Sequence, residues 1–194
     1  MTGPDGEATP TPRGEAFALH AWVDERMDVD LDQDRGRYIL ASVVCDPSGC
    51  DPVRQAVRGL LQGRQRRLHW RDEIGPWRTK IAATIGALDM TAVVVVEVSM
   101  ANRRQERARR LCMEALLPSL ERDYGVSLEA RTQTLTSKDR EHVANLVGKR
   151  LIIPALRADS ARPPEEPMPD AVAGAVGADR LGDPEWLDII GQKV

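Results

Sequence analysis

Apolar positions occur along the chain in short blocks separated by polar connections, and the period within each block points to its element. FALHAWV, residues 17 to 23, is apolar or aromatic apart from His20, and YILASVVC, residues 38 to 45, resumes that character after the polar stretch DERMDVDLDQDRGR. Two strands joined by an acidic connection are predicted, paired as a hairpin. Alternation along the first puts His20, Trp22 and Asp24 on one side and Leu19, Ala21 and Val23 on the other. DPSGCDP is a turn cluster, after which Val53, Val57, Leu60 and Leu61 carry helical spacing up to a stop at Gly63. RRLHWRDE, residues 66 to 73, reads as a brief strand with flanking charge. GPW then opens a helix with Pro76 in its first turn and Ile81, Ile85 and Leu88 on its buried face.

MTAVVVVEVSM is the clearest strand, a valine run of the kind buried on both faces of a sheet, interrupted by Glu97. Residues 102 to 125 read as one long helix capped by Asn102, kinked by Pro118 and stopped by Gly125. On its wheel Arg103, Arg107 and Arg110 share a solvent edge, opposite Ala108, Leu111, Cys112 and Ala115. VSLEARTQTL is a further strand, a helix begins near Ser137, and LIIPAL is a short extended run. After a proline-rich loop, DAVAGAVGADRL places small residues at helical spacing with Asp170 in the first turn, so this helix can approach a sheet closely. The alternation predicts an α/β sandwich with a mixed central sheet flanked by helices, its antiparallel part supplied by the first hairpin.

Composition narrows the classes. The 194 residues suit one domain, with residues 1 to 15 a small, polar, proline-bearing disordered tail and residues 16 to 194 the α/β domain. Charged residues make up 29% but balance to -3, so no overall basic field coats the protein, and any polyanion must meet a local patch. Cys45, Cys50 and Cys112 have no paired zinc spacing and read as buried or loop thiols; with no secretory signal, they point to a reducing cytoplasm. The longest apolar run is too short to span a bilayer, which excludes a membrane role for it.

Three acids stand where a sheet could gather them: Asp24 at the end of the first strand, Glu129 in the strand before the penultimate helix, and Asp170 at the start of the last. Carboxylates collected in a partly buried site raise one another's pKa unless cations intervene. Hard oxygen donors suit Mg²⁺ or Mn²⁺, and such ions assist phosphodiester cleavage. Each acid also has a structural reading: Asp24 and Glu25 opening a solvated loop, Glu129 pairing with Arg131 on a sheet edge, Asp170 capping a helix.

The Asp-Glu after the first apolar strand, LHWRDE, VVVVEV, LEART followed by KDR, and PDAVAGAV together resemble the bacterial domain-of-unknown-function 3800 family, in its actinobacterial form, over nearly all of residues 17 to 180. The resemblance implies a ribonuclease H-like fold and a metal-dependent nuclease or phosphoryl-transfer enzyme acting on nucleic acid, DNA or RNA. It carries site roles onto Asp24, Glu25, Glu129 with Arg131, Asp139, and Asp170 with Gly174, and its histidine motif onto His69. Asp24, Glu129 and Asp170 would then hold Mg²⁺ or Mn²⁺, with Glu25 and Asp139 supporting the ions or positioning water and Arg131 and His69 handling the phosphate or leaving group. Where the family reads Asp-Glu-Ser this chain has Arg26, and Pro169 replaces an alanine. Arg26 either contacts a scissile phosphate or marks a non-catalytic relative that binds nucleic acid or a protein partner.

His69 has three readings, as a metal ligand, a general acid, or a structural residue bonded to a backbone carbonyl. The arginines form two groups. Arg64, Arg66, Arg67 and Arg71 bracket the histidine, while Arg103, Arg107 and Arg110 line a helix. Either group is able to hold a phosphate backbone or simply to form a solvated face. Few aromatics are available to stack bases. Self-association of the chain stays open.

Overall fold

The computed structural model describes residues 19–30, 32, 34–46, 50–65, 68–120, 124–152, 156–157, 167–191 and 193–194. The tail at residues 1 to 15 and the pair Arg66 and Arg67 lie outside them. The first two strands, β1 (Leu19–Asp30) and β2 (Arg35–Cys45), form the expected antiparallel hairpin, with Asp24 opposite Ala41. β1 does not stop at its acids. It runs six residues beyond Asp24 to Asp30, because Arg26, Met27 and Asp28 keep pairing with Ile39, Tyr38 and Arg37 across the hairpin.

Helix α1 (Cys50–Arg58) follows, then α2 (Gly75–Gly86) with Pro76 at its entrance, then β3 (Thr91–Met100). The strand expected over residues 66 to 73 is absent where the chain is described: Trp70–Asp72 is a single 3-10 turn. Trp70 is buried there and its ring packs edge-on against Trp186 at 5.5 Å, contacts that a pleated strand has no need of. β3 is an edge strand, so Val93 to Val96 are only half buried although both of its sides face helices.

The long helix is divided. A 3-10 turn covers Asn102–Arg104, α3 spans Gln105–Ser119, and Gly125 lies inside β4 (Tyr124–Leu128) instead of ending a helix. Pro118 sits in the last turn of α3, where the helix is about to end. α4 (Gln133–Gly148) starts four residues earlier than Ser137, so Glu129 to Thr132 form a connection and not a strand. β5 (Leu156–Arg157), α5 (Pro167–Asp179) and α6 (Glu185–Ile190) complete the chain; α6 was not expected, and Trp186 and Ile190 are its buried residues.

The sheet order is β3-β2-β1-β4-β5, antiparallel through the first three strands and parallel from β1 to β5. Trp22, Ile39, Ala41 and Val43 face one core with α1, α2, α5 and α6; Ala21, Val23, Leu40 and Val126 face the other with α3 and α4. The alternation predicted for β1 is therefore present. On the α5 side the helix lies close, since a Cβ at Gly174 would fall 2.2 Å from the Trp70 ring. No helix among the described residues is long and apolar enough to cross a membrane.

Candidate acidic site

The pairing of β1 with β4 places the acids. It ends at Val23 opposite Leu128, and the Glu129 amide closes the ladder by donating to the Val23 carbonyl at 3.1 Å. From Asp24 onward β1 has β2 on one flank only, so Asp24 and Glu129 meet at the carboxyl end of a parallel strand pair, the usual position for a ligand crevice in an open sheet. Oxygens of Asp24, Glu25 and Glu129 lie within 4.8 Å of one another. Asp24 is only 4% exposed and accepts the Glu25 amide at 2.7 Å.

Burial pushes the Asp24 carboxyl up to about 10, and hydrogen bonding to Glu129 together with the charges of Glu129, Glu25 and Asp170 acts in the same direction. An Asp24 carboxyl held protonated in this way donates its hydrogen bond to Glu129. Asp170, in the first turn of α5, stands outside the 4.8 Å set yet close enough to add to the repulsion. Its Oδ2 accepts the Trp70 amide at 2.8 Å and lies 3.8 Å from Nδ1 of His69. The 3-10 turn at Trp70 thus brings together His69 and Asp170, which are a hundred residues apart in the chain. The His69 side chain keeps 44% of its exposure, so it borders the site from the solvent side.

Glu25 and Asp139 have a different environment. Alternation turns Glu25 to the α3 side, where Oε2 meets the guanidinium of Arg109. Arg109 is 1% exposed and also grips both oxygens of Asp139, at 3.0 and 3.1 Å, and the Tyr38 hydroxyl at 3.1 Å. Arg131 takes the same two Asp139 oxygens at 2.8 and 3.2 Å and adds Glu106. Burial raises the Glu25 carboxyl even though Arg109 and Arg131 pull it down. Burial would lower Arg109, but Glu25, Tyr38 and Asp139 overcome it and hold the group firmly cationic. Asp139, with four hydrogen bonds to two guanidinium groups, is an anchor for arginines; it has no lone pair aimed at the acidic set.

The predicted phosphate contacts divide in the same way. Arg26 lies along the α5 side of β1, bonded to Asp28 at 2.8 Å and packed against Gly177, so it does not occupy the acidic set. Arg131 is tied to Glu106 and Asp139, and not to Glu129. Arg71, Arg103, Arg107 and Arg110 are exposed. Arg107 and Arg110 border a groove between α3 and α4 whose other wall carries Lys138. Among the cysteines, Cys45 and Cys112 are buried and not in disulfides.

Arg109, Tyr38 and Glu106 were not singled out from the sequence. Arg109 had a signal: it falls on the stripe 109, 112, 113, 116, which is otherwise Cys112, Met113 and Leu116, all buried. A cation on an apolar stripe requires buried anions. No protein-family model, curated protein or solved structure matches the chain.

Proposed function

We propose that the chain is a ribonuclease H-like, divalent-metal-dependent nuclease or phosphoryl-transfer enzyme acting on nucleic acid, with Asp24, Glu129 and one oxygen of Glu25 around the ion and Asp170 facing it. The observation that carries this reading is the buried Asp24 carboxyl, crowded by carboxylates from three separate segments. Evolution of a stable core does not gather such groups, because each charge costs desolvation and none offsets another. A dication offsets all of them together.

The donor set fits Mg²⁺ or Mn²⁺. Oxygens on opposite sides of an octahedral Mg²⁺ lie about 4.2 Å apart, given bonds of about 2.1 Å. The 4.8 Å spread needs only a small closure to match. The mixed sheet, with its antiparallel first hairpin and the acids at the end of a parallel pair, supports the ribonuclease H-like frame. When bound, the ion supplies charge to a phosphodiester oxygen.

The protein's own residues do the rest. Asp24 and Glu129 would hold the ion, the Asp24 proton being released to water, and the low exposure of Asp24 would keep water from screening that charge. His69, half exposed beside Asp170, is placed to pass a proton at the mouth of the site. Arg107, Arg110 and Lys138 line the α3–α4 groove alongside Glu106, Asp139 and Glu141, and their exposed cations are the ones there that a phosphate backbone would meet. Arg26, paired with Asp28, neither fills the acidic set, as the non-catalytic reading has it, nor points a free guanidinium at a scissile phosphate.

Thermal unfolding with Mn²⁺ tests the proposal. A rise in Tm that disappears in Asp24→Asn and in Asp170→Asn is expected; at a hundredfold excess over Kd the stabilisation is about 2.7 kcal/mol. No response to Mn²⁺ or Mg²⁺, with oligonucleotide or a protein partner still bound, gives the chain to the non-catalytic module.

A further inference from the structure

Arg109 is the least exposed charged side chain in the described structure, and every part of its fork is used. The edge formed by Nε and Nη2 lies on the two oxygens of Asp139, which fixes the guanidinium plane. That leaves Nη1 aimed at Tyr38 and at Oε2 of Glu25. Arg131 closes the far side of Asp139, so the carboxylate that holds Arg109 cannot turn away. Glu25 is meanwhile one of the three acids whose oxygens approach within 4.8 Å. One of its oxygens is thereby tied while the carboxylate as a whole remains in the acidic set.

Stability alone does not call for this arrangement. A buried ion network is often no more stabilising than apolar residues of the same volume, and the positions that follow Arg109 on the stripe, Cys112, Met113 and Leu116, are apolar. What an arginine adds is direction, because its planar donors hold two carboxylates in one fixed geometry. Glu25 needs direction more than Asp24 does. Asp24 is short and fixed by the strand and by the Glu25 amide, whereas Glu25 is a longer side chain that starts on the opposite face of β1.

We propose that Arg109 is a positioning residue for the acidic site: it orients Glu25 toward Asp24 and Glu129, with Asp139 and Tyr38 orienting Arg109 in turn. The role rests on the metal-dependent reading of that site. It also gives Asp139 its place, two contacts removed from the ion and not beside it. Outer-shell partners of this kind commonly change metal affinity by 10- to 100-fold.

Calorimetric titration of Mn²⁺ into wild type, Arg109→Lys and Tyr38→Phe tests the role. Lysine keeps the positive charge but cannot grip the Asp139 edge and point a second donor at Glu25. A rise in Kd of about tenfold is expected for Arg109→Lys, and of about two- to threefold for Tyr38→Phe, which removes only the hydroxyl that steadies Nη1. Circular dichroism establishes which variants are folded; if Arg109→Lys is not, Tyr38→Phe decides. Folded variants that bind Mn²⁺ as wild type does overturn the positioning role, even with a lower Tm, since a purely structural arginine moves Tm alone. Wild type that binds no Mn²⁺ overturns the metal reading itself, and the role of Arg109 with it.

Discussion

Asp24 and Asp139 are buried to nearly the same degree, 4% and 6% exposed, and the protein treats them in opposite ways. Asp139 lies between two guanidinium groups and has all its hydrogen-bonding capacity taken by them. Asp24 lies among Glu129, Glu25 and Asp170, and its carboxyl is driven up to about 10 by burial first and by those neighbours next. Burial alone therefore does not decide how an acid is held; the sign of the surrounding charge does. Asp139 is an ion already compensated by the fold. Asp24 is a group whose ionised form its burial and its neighbours oppose, and on the proposed reading a cation from outside completes it.

The comparison breaks most visibly on paired amide substitutions. Asp139→Asn leaves Arg109 and Arg131 with a neutral partner in the interior, and a loss of about 3–5 kcal/mol is expected from urea unfolding. Asp24→Asn at neutral pH replaces a protonated carboxyl with an amide of the same shape that still donates to Glu129. A change within about 1 kcal/mol is expected in the metal-free protein. Equal losses in the two variants would erase the distinction between these sites.

Proton linkage sharpens the same contrast. Asp24 has an ordinary value of 3.8 and a folded value of about 10, so between those limits the native state holds a proton that the unfolded chain has released. Stability contributed by that proton is complete below the lower value and is lost as pH rises through the upper one. Metal-free protein should thus unfold more easily at each step from pH 5 to pH 9, with a slope of at most about 1.4 kcal/mol per pH unit for this group. Asp24→Asn should flatten the slope, and saturating Mn²⁺ should flatten or reverse it because the ion replaces the proton. A wild-type curve that is flat over this interval and no different from that of Asp24→Asn would mean that Asp24 is already ionised in the folded protein.

These differences were only partly legible in the amino-acid sequence. The hairpin, the valine strand and the small-residue helix were readable, because period-two and period-3.6 patterns are local and survive in a short window. Asp24, Glu129 and Asp170 were readable as candidates, but not the company each keeps. The strand read into LHWRDE failed because Trp70 is drawn into a turn by Trp186 and by the groove at Gly174, contacts 100 residues and more away. Asp139 was grouped with the catalytic acids for a similar reason. Its partner Arg109 lies thirty residues upstream, inside a helix whose other arginines are exposed. The division of Asp24 from Glu25 is inherent in strand alternation, yet the assumption that β1 ends at its acids concealed it.

The smallest expected effect on stability belongs to the arginines that the sequence did single out. Arg107 and Arg110 are exposed on α3, and unlike Arg109 they have water to solvate them whether or not a partner is present. Arg107→Gln with Arg110→Gln should leave unfolding within about 0.5 kcal/mol of wild type. Their effect should appear in polyanion binding instead. If the α3–α4 groove carries a phosphate backbone, removing two of its contacts lowers the slope of log K against log salt by about 1.8 for duplex and about 1.4 for a single strand. Fluorescence anisotropy of a labelled oligonucleotide across a salt series measures that slope directly. An unchanged slope together with unchanged affinity would leave Arg107 and Arg110 as a solvated face and would move any nucleic-acid contact to the side of the acidic site that holds Arg71 and His69.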